Sequence, residues 1–350
     1  MNDCAVKLRN VDVVFGAHSG RFQKMLDRYG IKKDINSSNM VSAVVNANLE
    51  VKKGEILVLM GLSGSGKSTL LRSINGLAPV VRGEVLVYTE RGIVNPYAAD
   101  ATVLRELRTH TISMVFQQFA LLPWRTVARN IELGLEFLDI SDSERKARVA
   151  QQLELVNLAE WADCKISMLS GGMKQRVGFA RAFATGAPIL LMDEPFSSLD
   201  PLIRMRLQDE LLELQYKLKK TIVFVSHDID EAFRLGNRIA IMEGGSIVQC
   251  GTPQDILLHP SSDYVAEFIQ KLNPIVALVA GDVMRAFPSD KSSDITTTAF
   301  KETPLIDIID IISRSSKKIG IVENGKIIGI ITAEDIVKGL SCRNRFSQFS

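Results

Sequence analysis

Short, unbroken apolar runs set in polar, glycine-marked surroundings organise most of this chain. Residues 56–60, 189–192 and 222–225 are continuous apolar stretches of strand length. That pattern belongs to strands covered on both faces, as in a mostly parallel sheet. Residues 5–15 alternate enough to predict another strand, followed by a polar, helix-like insertion over 19–35 and a loop over 36–39. Leu70, Leu71 and Ile74 recur at helical spacing after the first apolar run, and 83–94 reads as strand around a turn at Arg91-Gly92. Ala147, Ala150, Leu153 and Val156 mark an amphipathic helix over 143–158, with Ser143 as its predicted cap. Past Asn273-Pro274 the pattern changes to a helix (304–313), two strands (319–322 and 326–332) meeting at Asn324-Gly325, and a last helix from Ala333. Asn-Gly between two apolar runs is a strong hairpin turn. The prediction is an α/β domain over 1–272, with its insertion at about 16–40, and a small α+β module over 273–350.

Composition narrows the possibilities mainly by exclusion. A length of 350 residues accommodates two or three domains, and 42 basic against 40 acidic side chains leave a formal charge of +2. Such a balance offers no electrostatic case for nucleic acid or for a polybasic membrane anchor. Cys4, Cys164, Cys250 and Cys342 are far apart in no metal-binding spacing, which fits a reducing compartment. The N-terminus has no apolar run of the secretory type, and no stretch approaches the roughly 18 apolar residues of a membrane span. The expectation is a soluble, cytoplasmic chain whose membrane role, if it has one, comes through a partner.

The chemistry is concentrated where the apolar runs end. Gly61, Leu62, Ser63, Gly64, Ser65, Gly66, Lys67, Ser68 and Thr69 stand between a strand and a helix. Glycines there let backbone N–H groups turn inward on phosphates, and the following helix adds its positive end. Lys67 is the candidate bridge to the β- and γ-phosphates, and Ser68 is a candidate Mg²⁺ ligand. Asp193 closes a strand and Glu194 follows it, placing one carboxylate to hold metal and the next to polarise an attacking water. Gln117, which can donate and accept, is a candidate for contact with both metal and water. His227 follows the strand over 222–225, at the strand end where ligands of open parallel sheets bind, and is the γ-phosphate candidate. A second set of anion-binding donors, Ser170, Gly171 and Gly172, comes about a hundred residues after the phosphate loop. One chain folded around one nucleotide does not need both sets. The second is therefore expected to serve a nucleotide held by another copy, which makes the working unit a homodimer.

GLSGSGKST (61–69), VFQQ (115–118), LSGGMKQR (169–176), ILLMDEP (189–195), SSLD (197–200) and VSHD (225–228) together resemble the ATPase subunits of ATP-binding cassette transporters. The resemblance spans about residues 5–270. It implies a P-loop NTPase nucleotide-binding domain with an antiparallel β subdomain and a helical signature subdomain. By the same resemblance, Ser170 to Gly172 close over the partner's γ-phosphate, Asp200 lies in the segment linking the two composite sites, and Phe15 stacks on adenine. A core role is the alternative for Phe15. Residues 118–127, with Pro123 and Trp124, resemble the groove that receives a helix of the membrane permease, although Leu122 and Trp124 also read as core. FQQFALLPWRTV (116–127), RLQDELLELQ (206–215) and the C-terminal module resemble the quaternary-amine importers of glycine betaine, proline and choline, with choline the first choice.

The resemblance further implies ATP and Mg²⁺ as cofactors and integral membrane permease subunits as partners. A periplasmic or extracellular solute-binding protein would act indirectly, and no nucleic acid is involved. The position implied is peripheral, on the cytoplasmic face of the inner membrane. Residues 280–340 resemble one cystathionine-β-synthase (CBS) motif, opened at Gly281 to Met284 and closed at Gly329 to Ile336. A dimer-packing or remnant role is favoured over a regulatory one, in which Thr332 and Asp335 would contact a ligand. Soluble cassette ATPases of translation or repair are the competing class, but this chain has one cassette and no inserted coiled coil or zinc motif. A non-enzymatic nucleotide sensor would be expected to lack Glu194 or His227.

Overall fold

The computed structural model describes residues 3–16, 40–117, 120–197, 199–272, 275, 277–286, 295, 297–315, 318–323 and 325–341. The predicted 19–35 insertion and 36–39 loop lie outside the described residues, as do Gln118, Phe119 and Asn324. The chain divides into two compact units, Met1–Asp228 with Leu235–Cys250 and Ile229–Arg234 with Gly251–Ser350.

In the first unit β1 (Cys4–Phe15), β2 (Val41–Lys52), β3 (Ile56–Gly61), β4 (Val80–Thr89), β5 (Gly92–Val94), β6 (Ile112–Val115), β7 (Ile189–Asp193), β8 (Thr221–Val225), β9 (Arg238–Glu243) and β10 (Ser246–Gly251) form two sheets. One is an antiparallel sheet in the order β2-β1-β4-β5. The other runs β10-β9-β3-β8-β7-β6, and its neighbours from β9 to β6 are parallel. β3, β7 and β8 are buried along their whole lengths, as their unbroken apolar sequences require.

A single core joins Val6, Leu8 and Val13 of β1 to Leu57 and Leu59 of β3 and to Leu70, Leu71 and Ile74 of the helix Lys67–Ile74. Burying those three helix side chains contributes about 1.5–3 kcal/mol each. The helix that follows the phosphate loop is thereby pinned between the sheets.

A second core is helical, with Val127, Ile131, Leu153, Val156, Leu169, Val177 and Ala180 among its members. Here the structure corrects a sequence expectation. The helix is Asp142–Leu155, and its cap is Ser141, whose hydroxyl accepts from the Glu144 N–H. Starting there puts Asp142 and Glu144 in the first turn, at the positive end of the helix dipole. The buried stripe is Val149, Leu153 and Val156, while Ala147 and Ala150 face solvent. Larger apolar side chains remove more area from water than alanine, so they decide which face turns inward.

In the second unit β11 (Arg285–Ala286), β12 (Thr297–Phe300), β13 (Ile319–Glu323) and β14 (Lys326–Ile331) form a sheet in the order β11-β14-β13-β12. β12 lies parallel to β13, and the other pairs are antiparallel. The helices Leu305–Ser315 and Ala333–Ser341 complete its core through Leu305, Ile308 and Ile336, against Ile319, Ile321 and Ile331. The helix, hairpin strands and final helix agree with the sequence pattern; β11 and β12 are additional.

Candidate functional site

The phosphate loop is shaped by glycines at positive φ: Gly61 (144°), Gly64 (80°) and Gly66 (95°). At two of them space is also decisive. A Cβ on Gly61 would collide with the Met242 carbonyl of β9, and one on Gly66 with the Ala43 carbonyl of β2. The loop therefore lies directly against two strands, and only glycine fits the approach. Lys67 is almost wholly buried and donates from Nζ to the carbonyls of Gly61 and Leu62, both at 2.9 Å. Burial pushes its pKa below the ordinary lysine value, opposed by the nearby Glu194 and Asp193 carboxylates.

Strand order does the rest of the assembly. β3, β8, β7 and β6 are consecutive neighbours, so the residues following their carboxyl ends converge. Asp193, 1% exposed, accepts from the Ser68 hydroxyl at 2.6 Å on Oδ1 and from Arg72 Nη2 at 2.8 Å on Oδ2. Glu194 Oε2 lies 3.3 Å from Gln117 Nε2 and 3.3 Å from His227 Nδ1. Glu194 itself adopts a left-handed backbone (φ 46°), with its N–H donating to the Val225 carbonyl at 3.2 Å. The Ser197 hydroxyl donates to the Glu194 carbonyl at 3.1 Å. Buried Gln175 donates its side-chain amide to the carbonyl of Pro195, tying the helix Gly171–Ala184 to the same turn.

Lys67, Ser68, Gln117, Asp193, Glu194 and His227 are thus brought together. Ser170 sits elsewhere in the unit, as the N-cap of Gly171–Ala184, accepting from the Met173 N–H at 3.3 Å. Ser170 and Gly171 are exposed. Gly172 packs so near Ile203 that a Cβ would lie 3.1 Å from its Cγ2. Asp200 caps the helix Pro201–Leu218 by accepting from the Leu202 N–H. Phe15 ends β1 and is 44% exposed, which leaves it outside the core.

Two contributors escaped the sequence reading. Arg72 is one helical turn beyond Ser68, and the i, i+4 spacing was a usable signal for it. Asn130 is fully buried. Its amide donates to the Leu122 and Thr126 carbonyls at 3.1 and 2.8 Å and accepts from the Leu122 N–H at 2.7 Å. It fixes the turn that presents Trp124, which is 72% exposed.

Residues 44–197 match the ABC transporter family model, and 280–341 match the CBS domain model. The glycine betaine transport ATP-binding protein of Bacillus subtilis is 41% identical over 95% of this chain and 77% of its own length. This chain belongs to the ABC transporter ATPases, in the quaternary-amine importer group. The choline transport ATP-binding protein of the same organism is 41% identical to this ATPase, over 74% of the chain and 66% of that protein. Among solved structures, a dimeric ATP-binding cassette bound to ADP and phosphate in a post-hydrolysis state is 34% identical, with a TM-score of 0.59 over 71% of this chain and 98% of that one. As an ABC ATPase the chain binds and hydrolyses ATP, and no described helix is long and apolar enough to cross a membrane.

Proposed function

We propose that this ATPase energises import of a trimethylammonium solute through a membrane permease, from the cytoplasmic face, as a homodimer with two composite sites. The observation that carries the reaction is the convergence of Gln117 and His227 on the one carboxylate oxygen of Glu194. Lys67 and the N–H groups of Gly61 to Ser68 and Thr69 hold the phosphates, neutralising charge at a helix start. Ser68 and Asp193 present a hydroxyl and a carboxylate 2.6 Å apart, hard oxygen donors that would suit Mg²⁺. Held there, that ion would supply charge neutralisation for the phosphates. Glu194 accepts a proton from the attacking water, Gln117 orients that water, and His227 donates to the γ-phosphate.

Ser170 and Gly171, exposed at a helix N-terminus, and Gly172, buried beside them, complete the partner's site, with Asp200 at the seam and Phe15 against adenine. ATP then joins the two copies, and loss of phosphate releases them. The stroke is a population shift driven by differential affinity for closed and open pairs. Glu194→Gln is expected to bind ATP, hydrolyse it scarcely, and elute as an ATP-dependent dimer. A strictly monomeric elution with ATP would overturn the composite site.

For the solute, choline and glycine betaine share the trimethylammonium group, and relatives named for each are 41% identical to this chain. The exposed Trp124 on its Asn130-braced turn supports a permease docking role. The CBS module, which the sequence pattern places at 273–350, packs or regulates the dimer. Uptake of radiolabelled choline and glycine betaine, in cells carrying this chain with its permease, tests the solute. Entry of neither, with intact ATPase activity, would refute it.

A further inference from the structure

Arg204 lies on the first turn of the helix Pro201–Leu218, one turn beyond the cap Asp200, whose carbonyl accepts its N–H at 2.9 Å. Its guanidinium reaches in two directions. Nη1 donates to Asp228 Oδ2 at 2.8 Å, and Nη2 reaches the Leu199 carbonyl at 3.4 Å. Its Nε is buried without a hydrogen-bond partner, so the two terminal amines carry these connections. Asp228 is the residue after His227, and its own N–H donates to the Ser226 hydroxyl at 3.0 Å. The short loop bearing His227 is thus held from within by Ser226 and from outside by Arg204. His227 is 58% exposed in its side chain and touches Glu194 through Nδ1. Ring exposure of that degree leaves its direction to the backbone that carries it.

We infer that Arg204 is a positioning residue for His227, clamping the histidine's loop to the Leu199-Asp200 segment so that the two move as one. The inference rests on the proposed role of His227 and deepens it. A single forked side chain then gives the Leu199-Asp200 segment a mechanical connection to the γ-phosphate sensor of the same chain. Arginine suits this because its planar fork holds two acceptors at once, where a lysine ammonium reaches only one of them in fixed geometry. A partner that displaces Asp200 would, through Arg204, change where His227 points.

The test is a double-mutant cycle on full-length protein, with ATP turnover, KM and equilibrium ATP binding measured for each member. Arg204→Met is expected to lower kcat about 10-fold or more while leaving KM and ATP affinity within about 2-fold, as removal of a group acting only in the reacting state does. Arg204→Lys, which retains the Asp228 pair, is expected to recover part of kcat. In a His227→Ala background, Arg204→Met should cause no further loss. Asp228→Asn, which keeps size and removes charge, should reproduce the kcat loss and serves where Arg204→Met fails to fold. If His227→Ala alone keeps full turnover, the reading of the site fails. If His227→Ala loses turnover while Arg204→Met and Asp228→Asn do not, or if the losses multiply in the double variant, the positioning role is overturned.

Discussion

Removing the Arg72 side chain while keeping its bulk, as in Arg72→Met, strips one of two partners from a carboxylate that is 1% exposed. Asp193 Oδ2 would be left buried without its donor at 2.8 Å, while Oδ1 keeps the Ser68 hydroxyl. Leaving a buried acceptor unsatisfied costs about 1–3 kcal/mol, and breaking a fully buried ion pair about 3–5 kcal/mol. Arg72 is itself 46% exposed, so water already screens the pair and the lower range applies. A loss of about 2 kcal/mol corresponds to a drop of about 4–8 °C in melting temperature for a domain of this size. The deficit should depend on ligands in a particular way. In EDTA, with or without ATP, it should persist. With ATP and Mg²⁺ it should shrink to about a quarter or less, because a cation at Ser68 and Asp193 supplies the charge that Arg72 gave. Differential scanning fluorimetry of both proteins under these conditions reads it directly. An equal deficit with Mg²⁺·ATP and with EDTA would refute the assignment of Asp193 and Ser68 to the metal.

Glycine replacements grade the loop. Gly66→Ala, at φ 95° and in collision with the Ala43 carbonyl, should lower the melting temperature of the nucleotide-free protein well below that of Gly64→Ala, which meets nothing within 4 Å and carries only backbone strain of about 1–2 kcal/mol. Equal melting temperatures for the two variants would contradict the described packing. ATP affinity should also fall as pH rises through the lowered Lys67 pKa, since the ammonium that meets the phosphates is lost earlier than from a free lysine. The sign follows from the cation being the binding form. Fluorescence titrations that stay flat up to the ordinary lysine range would sink the claim.

How legible the chain was depends on what kind of information each feature needs. β3, β7 and β8 were readable because strands buried on both faces leave no freedom in composition. Lys67, Ser68, Gln117, Asp193, Glu194 and His227 were readable because each sits at the end of such a run or in a dense motif. Their meeting was not readable from spacing alone, since the order β3-β8-β7-β6 brings Gln117 within reach of Glu194 across 77 residues of chain. The sequence pattern puts the cap of Asp142–Leu155 two residues too late because Ser141 and Ser143 are the same residue type, and it takes the acidic first turn and the buried stripe to separate them. β12, the four residues Thr297–Phe300, gains its strand character by pairing with β13 and carries little periodicity of its own. Gln175 and Asn130 act through buried side-chain hydrogen bonds to backbone groups, which leave no periodic trace in a sequence; Arg72 differs, since its i, i+4 spacing from Ser68 is visible there.

The left-handed backbone at Glu194 has a consequence for how such a site tolerates change. A non-glycine residue at φ 46° carries a conformational penalty of about 1–2 kcal/mol, which glycine would relieve. If Glu194 is the base proposed above, its position is one where the sturdier chain is the inert one. A screen that selects only for thermal robustness would drift toward losing this glutamate, and a turnover-based selection would restore it at a cost in stability. Activity and durability are opposed at a single torsion angle, and only function keeps the strained choice in place.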